Sequence, residues 1–414
     1  MKLITSTALA LAAAGFASPS AAQYATPATQ QQNAQASQPA EVQAKPSSKA
    51  AKAILDLQTT VNNKDWANVP AKLAAAQAVA STKEDRYLIA RFQLVAALAA
   101  NDNASMGTAV DAIAASGFLD SSKMADLYSK LGGSFLNAKQ YPQAVAAYQK
   151  AIAINPRDPE SQQLLGTALF YAGQKAQSVA AFQQAIQLSA ATGQKPGEDL
   201  YRMAVQASFD AKSPAAVQIA RDWLTAYPSP DSWRNSVAIY RSMNQLDTES
   251  TLDLLRLLQA VGGLKEASDY ALFIADAADQ NNFNEAQAAL DAGIAAKVID
   301  PSSRDWSQTI ATLKAKPRAT AADLAEATKT AASGMALLHI GDRYYAMGDY
   351  AKAAELYRMA QAKPDVDPNI AKLHIGMALA RQGDKPGATA ALSSVSGARA
   401  DVAKFWLTYV NQHA

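Results

Sequence analysis

A dipeptide of an aliphatic residue and glycine recurs at a fixed spacing, and this repeat constrains the fold more than any other feature of the chain. Leu131-Gly132 and Leu165-Gly166 are 34 residues apart, and Ile340-Gly341 and Ile375-Gly376 are 35 residues apart. After each dipeptide, aromatic, aliphatic or small residues follow at matching offsets, in the first copy at Phe135, Tyr141, Ala144, Tyr148, Ala151 and Ile152. A fixed period of this length is typical of stacked structural repeats rather than of unrelated domains.

Each copy has the periodicity of two helices. Leu131 and Phe135 are spaced to share one face of a first helix, and Val145 and Tyr148 are spaced to share one face of a second. Residues 137–140 leave room only for a short turn, so the two helices must lie antiparallel. The sequence therefore predicts helix hairpins.

Glycine and alanine support the same interpretation. A glycine inside a helix costs about 1 kcal/mol relative to alanine, so its recurrence at one position indicates a compensating gain. About 95 of the 414 residues are alanine, which has the highest helix propensity and is depleted in strands. An all-α fold is expected.

The pattern resembles the tetratricopeptide repeat, in which Leu-Gly is followed by an aromatic residue or Leu, then Ala, an aromatic residue, Ala and Pro. The resemblance is strongest at residues 125–190 and 334–399. It implies an all-α, right-handed superhelical solenoid of antiparallel helix hairpins, in which the small residue lets paired helices approach closely. It also implies that partner segments bind in a concave groove lined by the first helices.

Weaker copies of the pattern extend over much of the remaining chain. We predict an N-terminal array over residues 50–300, an irregular joint over residues 301–333, and a C-terminal pair of repeats with a capping helix over residues 334–414. Pro301 and Pro317 interrupt the register within the joint.

The N-terminal residues have the pattern of a secretory signal peptide. Lys2 precedes an uncharged, largely apolar run, and a stretch of small residues ends at Ala22. This pattern predicts a signal peptide over residues 1–22 that is cleaved after Ala22. The run is shorter than the roughly 20 residues that span a bilayer. Residues 23–49 are rich in Gln, Ala, Pro and Ser, which predicts a disordered linker. We expect an exported protein of a bacterial periplasm that lacks a transmembrane segment.

Charge, cysteine content and motifs exclude several functions. The 38 basic and 36 acidic residues leave a net charge of +2, so no global field attracts nucleic acid, and no nucleic-acid partner is expected. The absence of cysteine excludes disulfides, thiolate zinc sites and cysteine nucleophiles. The sequence also lacks the G-x-S-x-G, H-E-x-x-H and P-loop motifs. We expect a non-enzymatic protein without a cofactor.

His339 and His374 precede two of the repeated dipeptides, so they occupy equivalent positions on consecutive first helices. They could face one another or share a ligand. A metal site would need a further ligand, and no carboxylate is spaced to supply it, so we expect no metal.

Two rival functions remain. Exported α-superhelices also occur in lytic transglycosylases, which use a catalytic Glu followed by Ser. Glu249-Ser250 offers such a pair, but the residues after it continue a helix and lack the Gly-Leu-Met-Gln-like segment of those enzymes. A catalytic or accessory role in cell-wall glycan processing is thus one alternative, and a role in polysaccharide secretion is another.

The family register, carried onto this chain, predicts eleven partner-binding residues on the groove-lining face. They are Asp126, Ser129, Asn137, Gln163, Thr167, Phe170, Tyr171, Asp342, Tyr345, Met377 and Arg381. Some family members use Lys and Asn to grip a partner's C-terminal carboxylate, but Ser129, Gly133 and Gln163 stand at those places here. We expect a mixed polar and aromatic surface that binds protein partners of the envelope.

Overall fold

The computed structural model describes residues 44–413, which form 21 α-helices and, within that range, no strand. The helices are α1 Ala51–Asn62, α2 Val69–Val79, α3 Lys83–Ala99, α4 Asn103–Ser116, α5 Ser121–Asn137, α6 Tyr141–Ile154, α7 Pro159–Tyr171, α8 Lys175–Ala191, α9 Glu198–Asp210, α10 Ala215–Ala226, α11 Pro230–Met243, α12 Thr248–Ala260, α13 Ala267–Asp279, α14 Phe283–Ala295, α15 Arg304–Lys314, α16 Ala321–Thr330, α17 Gly334–Ala346, α18 Tyr350–Gln361, α19 Pro368–Gln382, α20 Lys385–Ser393 and α21 Ala400–His413. The prediction of an all-α helical repeat fold is confirmed.

The predicted signal peptide and residues 23–43 of the predicted linker lie outside the described residues. The last residues of that linker belong to the folded body. The backbone N–H and the hydroxyl of Ser47 both donate to the carboxylate of Asp85, each at 2.7 Å. These hydrogen bonds, and those from Ser81 and Thr82, hold the pKa of Asp85 far below its usual value although burial opposes this.

The helices divide into two compact units at Ser213 and Pro214. Unit 1 is described over residues 44–213 and contains α1–α9. Within it, consecutive helices pack in pairs, α3 with α4, α5 with α6 and α7 with α8. The first helices α5, α7 and α9 also contact one another in turn, as stacked repeats require.

The repeated glycines lie where the two helices of a hairpin touch. A methyl group on Gly132 would lie 2.8 Å from the ring of Tyr148, and one on Gly341 would lie 2.6 Å from the ring of Tyr357. The other two repeated glycines make equivalent contacts, Gly166 with Phe182 and Gly376 with Leu392. Any larger residue would force the hairpin apart, so these contacts are the gain that offsets the helix propensity of glycine.

Unit 2 is described over residues 214–413 and contains α10–α21. Helices far apart in the chain meet within it. The guanidinium of Arg221 donates to Asp401 at 2.8 Å, and the indole of Trp406 donates to the backbone carbonyl of Asp253 at 3.1 Å. Unit 2 therefore departs from stacking in which each repeat contacts only its neighbours.

The predicted joint and the predicted capping helix both lie within unit 2. Residues 301–333 contain the short helices α15 and α16. The predicted capping helix is α21, and it packs against α12 as well as against α19 and α20. The rings of Phe405 and Trp406 on α21 are fully buried.

Candidate binding surfaces

An aromatic surface marks the ends of two adjacent hairpins in unit 1. We define this unit 1 aromatic surface as Tyr141, Phe170 and Tyr171. The rings of Tyr141 and Tyr171 stack with their centroids 5.5 Å apart, and the ring of Phe170 meets Tyr171 edge-on at 5.6 Å. Tyr171 is 56% exposed. A tyrosine ring would bury considerable area on contact with a partner. The three rings form a ready contact surface.

Five predicted polar positions also lie on the first helices of unit 1, exposed or half-buried: Asp126, Ser129, Asn137, Gln163 and Thr167. The neighbours of these side chains are polar groups and the sulfur of a methionine. Asp126 pairs with Lys130 at 2.9 Å, and both side chains are exposed. The hydroxyl of Thr167 donates to the backbone carbonyl of Gln163 at 3.1 Å and lies 3.9 Å from the sulfur of Met203. Partner binding at these positions stays a prediction.

The corresponding face of unit 2 is not open. Met377 is 1% exposed, and Asp342 and Tyr345 are each 8% exposed. These three side chains are therefore far less accessible than the predicted positions of unit 1, and partner binding at them stays a prediction. The family register assigns them to the first helices α17 and α19, and another segment of the chain lies against Asp342 and Tyr345.

Helix α12 is the segment that covers this face. Its Asp253 carboxylate lies 3.1 Å from Nε2 of His374 on α19. Its Arg256 guanidinium lies 3.8 Å from the carboxylate of Asp342 on α17 and over the ring of Tyr345, 5.7 Å from the centroid. One helix of the chain thus meets the face that was predicted to bind a partner.

The contacts of α12 belong to a larger buried ionic network, which we define as Glu249, Asp253, Arg256, Glu285, Asp342, His374 and Arg399. Arg256 donates to both oxygens of Glu285, at 2.6 and 2.7 Å. It also donates to Asp253 at 2.9 Å. Arg399 donates to Glu249 at 2.7 Å. Such pairs are retained only where each charge has close partners, because desolvation is costly.

His374 carries the positive charge at the centre of this network. Its Nδ1 lies 3.3 Å from Asp342 and its Nε2 lies 3.1 Å from Asp253. Neither nitrogen meets an oxygen in hydrogen-bond geometry, so these contacts are ion pairs. Burial opposes the charge, but Asp253 and Asp342 outweigh it and raise the pKa of His374 to about 10. Burial alone would raise the pKa of Asp342, but the positive charges of Arg256 and His374 outweigh it, and the pKa is lowered.

The two candidate histidines have different surroundings. His374 is buried, with the ring of Tyr357 edge-on at 5.1 Å. His339 is half-buried and lines a small cavity beside Glu249. Within residues 44–413, no group of three or more His, Cys, Asp or Glu side chains is arranged to hold a metal ion.

The cavity beside Glu249 bears on the glycan-processing alternative. Its volume is about 20 Å³, which suits one water molecule and not a sugar ring. Burial raises the pKa of Glu249, as a general acid requires, although the charges of His374 and Arg399 oppose this rise. The carboxylate is however engaged by Arg399. The geometry leaves no room for a glycan at this residue.

A larger cavity of about 410 Å³ opens where α12 ends against α17 and α19. We call it the Arg381 cavity, and its polar lining consists of Arg256, Gln259, Glu285, Tyr345, Tyr350 and Arg381. Two of the predicted binding residues, Tyr345 and Arg381, therefore meet at one cavity. Its volume lies within the range of small-ligand pockets.

The sequence interpretation predicted a helix after Glu249 but did not predict its buried charge partners, and it did not single out Glu285 or Arg399. One signal was present in α12 itself. Glu249, Asp253 and Arg256 follow at spacings of four and three residues among leucines, which places three charges on one side of an otherwise apolar helix. A helix that is apolar on its remaining faces is expected to be buried, and its charges then need buried partners.

None of the helices between residues 44 and 413 combines the length and the apolar character needed to cross a membrane. This finding concerns the described helices alone.

Comparisons with known proteins agree on the repeats. Family models described as TPR repeat or tetratricopeptide repeat match residues 132–173, 159–192 and 335–365. No curated protein matches the chain.

Solved structures with similar helices include a tetratricopeptide repeat protein from Parabacteroides merdae, which is 10% identical, with a TM-score of 0.32 over 71% of this chain and 99% of that chain. A MamA double mutant from RS-1 is 16% identical, with a TM-score of 0.29 over 48% of this chain and 99% of that chain. The pilF protein of Pseudomonas aeruginosa is 13% identical, with a TM-score of 0.25 over 64% of this chain and 97% of that chain.

The matched segments coincide with the hairpins in which glycine meets an aromatic ring, at residues 132–192 in unit 1 and 335–365 in unit 2. Motif, helix pairing and small-residue contact thus agree in both units. The chain thus carries tetratricopeptide repeats at residues 132–192 and 335–365, and stacked helix pairs of this kind serve as scaffolds for protein–protein interaction.

Proposed function

We propose that this chain is a non-enzymatic scaffold of the bacterial cell envelope, and that it binds a segment of a partner protein at the unit 1 aromatic surface. The observation that carries the proposal is the exposure of Tyr171 within a stack of rings at the ends of two successive hairpins. Tyrosine rings are enriched among the residues that contribute most to binding at protein interfaces.

The neighbouring residues favour an extended partner segment. Gln163 and Thr167 lie on the same helix as Tyr171 and are half-buried, so they can donate and accept hydrogen bonds beside the rings. An apolar anchor flanked by adaptable polar groups is the usual anatomy of a peptide-binding surface. The stacked rings are held by their mutual contacts, which reduces the entropy lost on binding.

The proposal is tested by crosslinking in cells. A photoreactive residue at position 171 should capture a specific partner, whereas the same residue at Gln149, exposed on the second helix α6, should capture it far less. With the captured partner purified, Tyr171→Ala should weaken its binding by about tenfold or more, as expected for an aromatic anchor.

Gln149→Ala supplies the matched control and should leave affinity within about twofold, since surface contacts outside an anchor contribute little. Equal affinities of wild type and Tyr171→Ala for the partner would remove the aromatic surface from the proposal.

The envelope location is also a proposal, supported by the pattern of residues 1–22. Expression of the full chain in a bacterium, followed by fractionation and N-terminal sequencing, provides the test. We expect the mature protein in the periplasmic fraction with Gln23 as its first residue. A chain that keeps Met1 and stays in the cytoplasm would contradict this part of the proposal.

A further inference from the structure

Helix α12 occupies much of the first-helix face of unit 2 but leaves the Arg381 cavity beyond its end. Tyr345, Tyr350 and Arg381 line this cavity. Arg256, Gln259 and Ala260 of α12 line it as well. At about 410 Å³ the cavity accepts two or three amino-acid residues rather than a folded element.

Arg381 differs from the other deeply placed arginines of unit 2 in its partners. Arg256 has Glu285, Arg399 has Glu249, and Arg221 has Asp401, each within 3 Å. Among the described residues, no carboxylate lies within ion-pair distance of Arg381. Its charge is therefore not neutralised by an acidic neighbour.

Tyrosine hydroxyls hold Arg381 in place instead. Its Nε and Nη2 donate to the hydroxyl of Tyr350, at 3.3 and 3.1 Å. Its Nη1 donates to the hydroxyl of Tyr409 at 3.3 Å. The guanidinium also lies over the ring of Tyr350, 5.3 Å from the centroid. These contacts orient the group but supply no negative charge.

The charged residues of the cavity lining are Arg256, Glu285 and Arg381, and Arg256 is already paired with Glu285 and with Asp253. Glu285 and Arg256 satisfy one another through two hydrogen bonds. The guanidinium of Arg381 is therefore available to a ligand that enters the cavity. Guanidinium groups recognise carboxylates with short, charge-assisted hydrogen bonds.

We propose that the Arg381 cavity binds an acidic segment of a partner polypeptide, with a side-chain carboxylate of that segment on Arg381. In naming a polypeptide the inference rests on the proposed scaffold function, but it concerns a second surface with different chemistry. Tyr345 and Tyr350 would contact the apolar part of the segment, and Gln259 would hydrogen-bond its backbone.

The test uses isothermal titration calorimetry on the full chain at near-physiological salt, with acetylated, amidated tetraglutamate as the probe. Tetraglutamine is the uncharged comparison, and succinate and inorganic phosphate are the small-anion comparisons. We expect measurable binding of tetraglutamate and at least about tenfold weaker binding of tetraglutamine, since charged hydrogen bonds contribute more than neutral ones.

Three variants locate the binding. Arg381→Gln should weaken tetraglutamate binding by about tenfold or more. Arg358→Gln removes the same charge from an exposed position of α18 outside the cavity and should leave binding within twofold. Ala288→Leu fills the cavity without a change of charge and should also weaken binding. Circular dichroism of each variant verifies that the fold is retained.

The inference is wrong if wild type does not distinguish tetraglutamate from tetraglutamine, or if Arg381→Gln and Ala288→Leu bind tetraglutamate as wild type does. Succinate or phosphate binding as tightly as the peptide would show a site for free anions and overturn the polypeptide occupant. Any of these results leaves crosslinking at position 171 unaffected, so the two proposals fail independently.

Discussion

Tyr148 in unit 1 and Tyr357 in unit 2 occupy the same place in the repeat, and the ring of each covers a helical glycine of the paired helix. Their hydroxyl groups meet different surroundings. The Tyr357 hydroxyl donates to Asp342 at 2.8 Å, whereas the buried Tyr148 hydroxyl has no hydrogen-bond partner. The residue after the repeated glycine explains the difference, because it is Asp342 in unit 2 and Gly133 in unit 1.

This difference extends to the whole first-helix face. In unit 1 the first helix α7 carries Phe170, Tyr171 and half-exposed polar groups, and Tyr141 at the start of the second helix α6 stacks on Tyr171. In unit 2 helix α12 covers the equivalent face, and the charges that meet there form the buried ionic network. The same hairpin can therefore present a binding face or become an interior, depending on what the rest of the chain places against it.

The largest expected effect comes from breaking the network in unit 2. Arg256→Met leaves Glu285, Asp253 and Asp342 without their common cation, and we expect the free energy of unfolding to fall by about 3–5 kcal/mol. Urea unfolding followed by tryptophan fluorescence reports mainly unit 2, which contains Trp223, Trp233, Trp306 and Trp406.

Arg358→Met at an exposed site of the same unit is the control for this change and should stay within about 0.5 kcal/mol of wild type. A similar loss in both variants would mean that the network adds nothing specific.

The next effect is a dependence on pH that only unit 2 should show. The pKa of His374 is raised to about 10 in the folded protein, against about 6.5 when unfolded. The stabilisation is therefore fully present below pH 6.5 and is lost progressively as the pH rises toward 10. Urea unfolding at several pH values in this window should show a falling free energy of unfolding for unit 2.

His374→Gln should flatten that dependence, while His413→Gln, at an exposed position near the end of α21, should preserve it. All three histidines lie in unit 2, so unit 1 has no counterpart in this pH range. A flat profile in the wild type would contradict a charged His374.

A smaller effect should be shared by both units. Gly132→Ala and Gly341→Ala each place a methyl group under 3 Å from a buried ring. We expect losses of roughly 1–3 kcal/mol from overpacking, reduced by the better helix propensity of alanine, about 1 kcal/mol. Thermal unfolding monitored by circular dichroism measures both variants.

A gain of stability in either glycine variant would show that the rings move aside freely. The closeness of the helices would then have another cause than the missing side chain.

The smallest expected change in stability should differ in sign between the two units. Tyr148→Phe removes a buried hydroxyl without a partner and should be neutral or stabilise by up to about 1 kcal/mol. Tyr357→Phe removes a donor to a buried carboxylate and should destabilise by about 1–3 kcal/mol. Equal effects in denaturant unfolding of the two variants would mean that Asp342 does not depend on its hydroxyl donor.

Much of the local structure was predictable because it depends on short-range spacing. The Leu-Gly dipeptides predicted the hairpins, and the helical glycines predicted the close approach that the Tyr148 and Tyr357 rings make. Residues 400–413 form the helix α21, and its role as a cap stays a prediction. The family register selected Tyr345 and Arg381 as partner-binding residues; both line one cavity, and binding there stays a prediction.

The accessibility of that face was not predictable from the same spacing. Asp342 and Tyr345 lie on the expected helix α17, but Arg256 of α12, about 90 residues earlier in the chain, lies against them. Register gives the direction of a side chain within its own hairpin and carries no information about a distant helix.

The sequence by itself determined the hairpins, since the period of apolar residues, the small residue at the contact and the short turn are all local properties. The tertiary structure alone decided which faces stay open, because burial depends on contacts between residues far apart in the chain. The same long-range contacts gave His374 its charge and left Arg381 with tyrosines instead of a carboxylate. In this protein the repeat specifies the helices, and the folding of unit 2 upon itself specifies the chemistry between them.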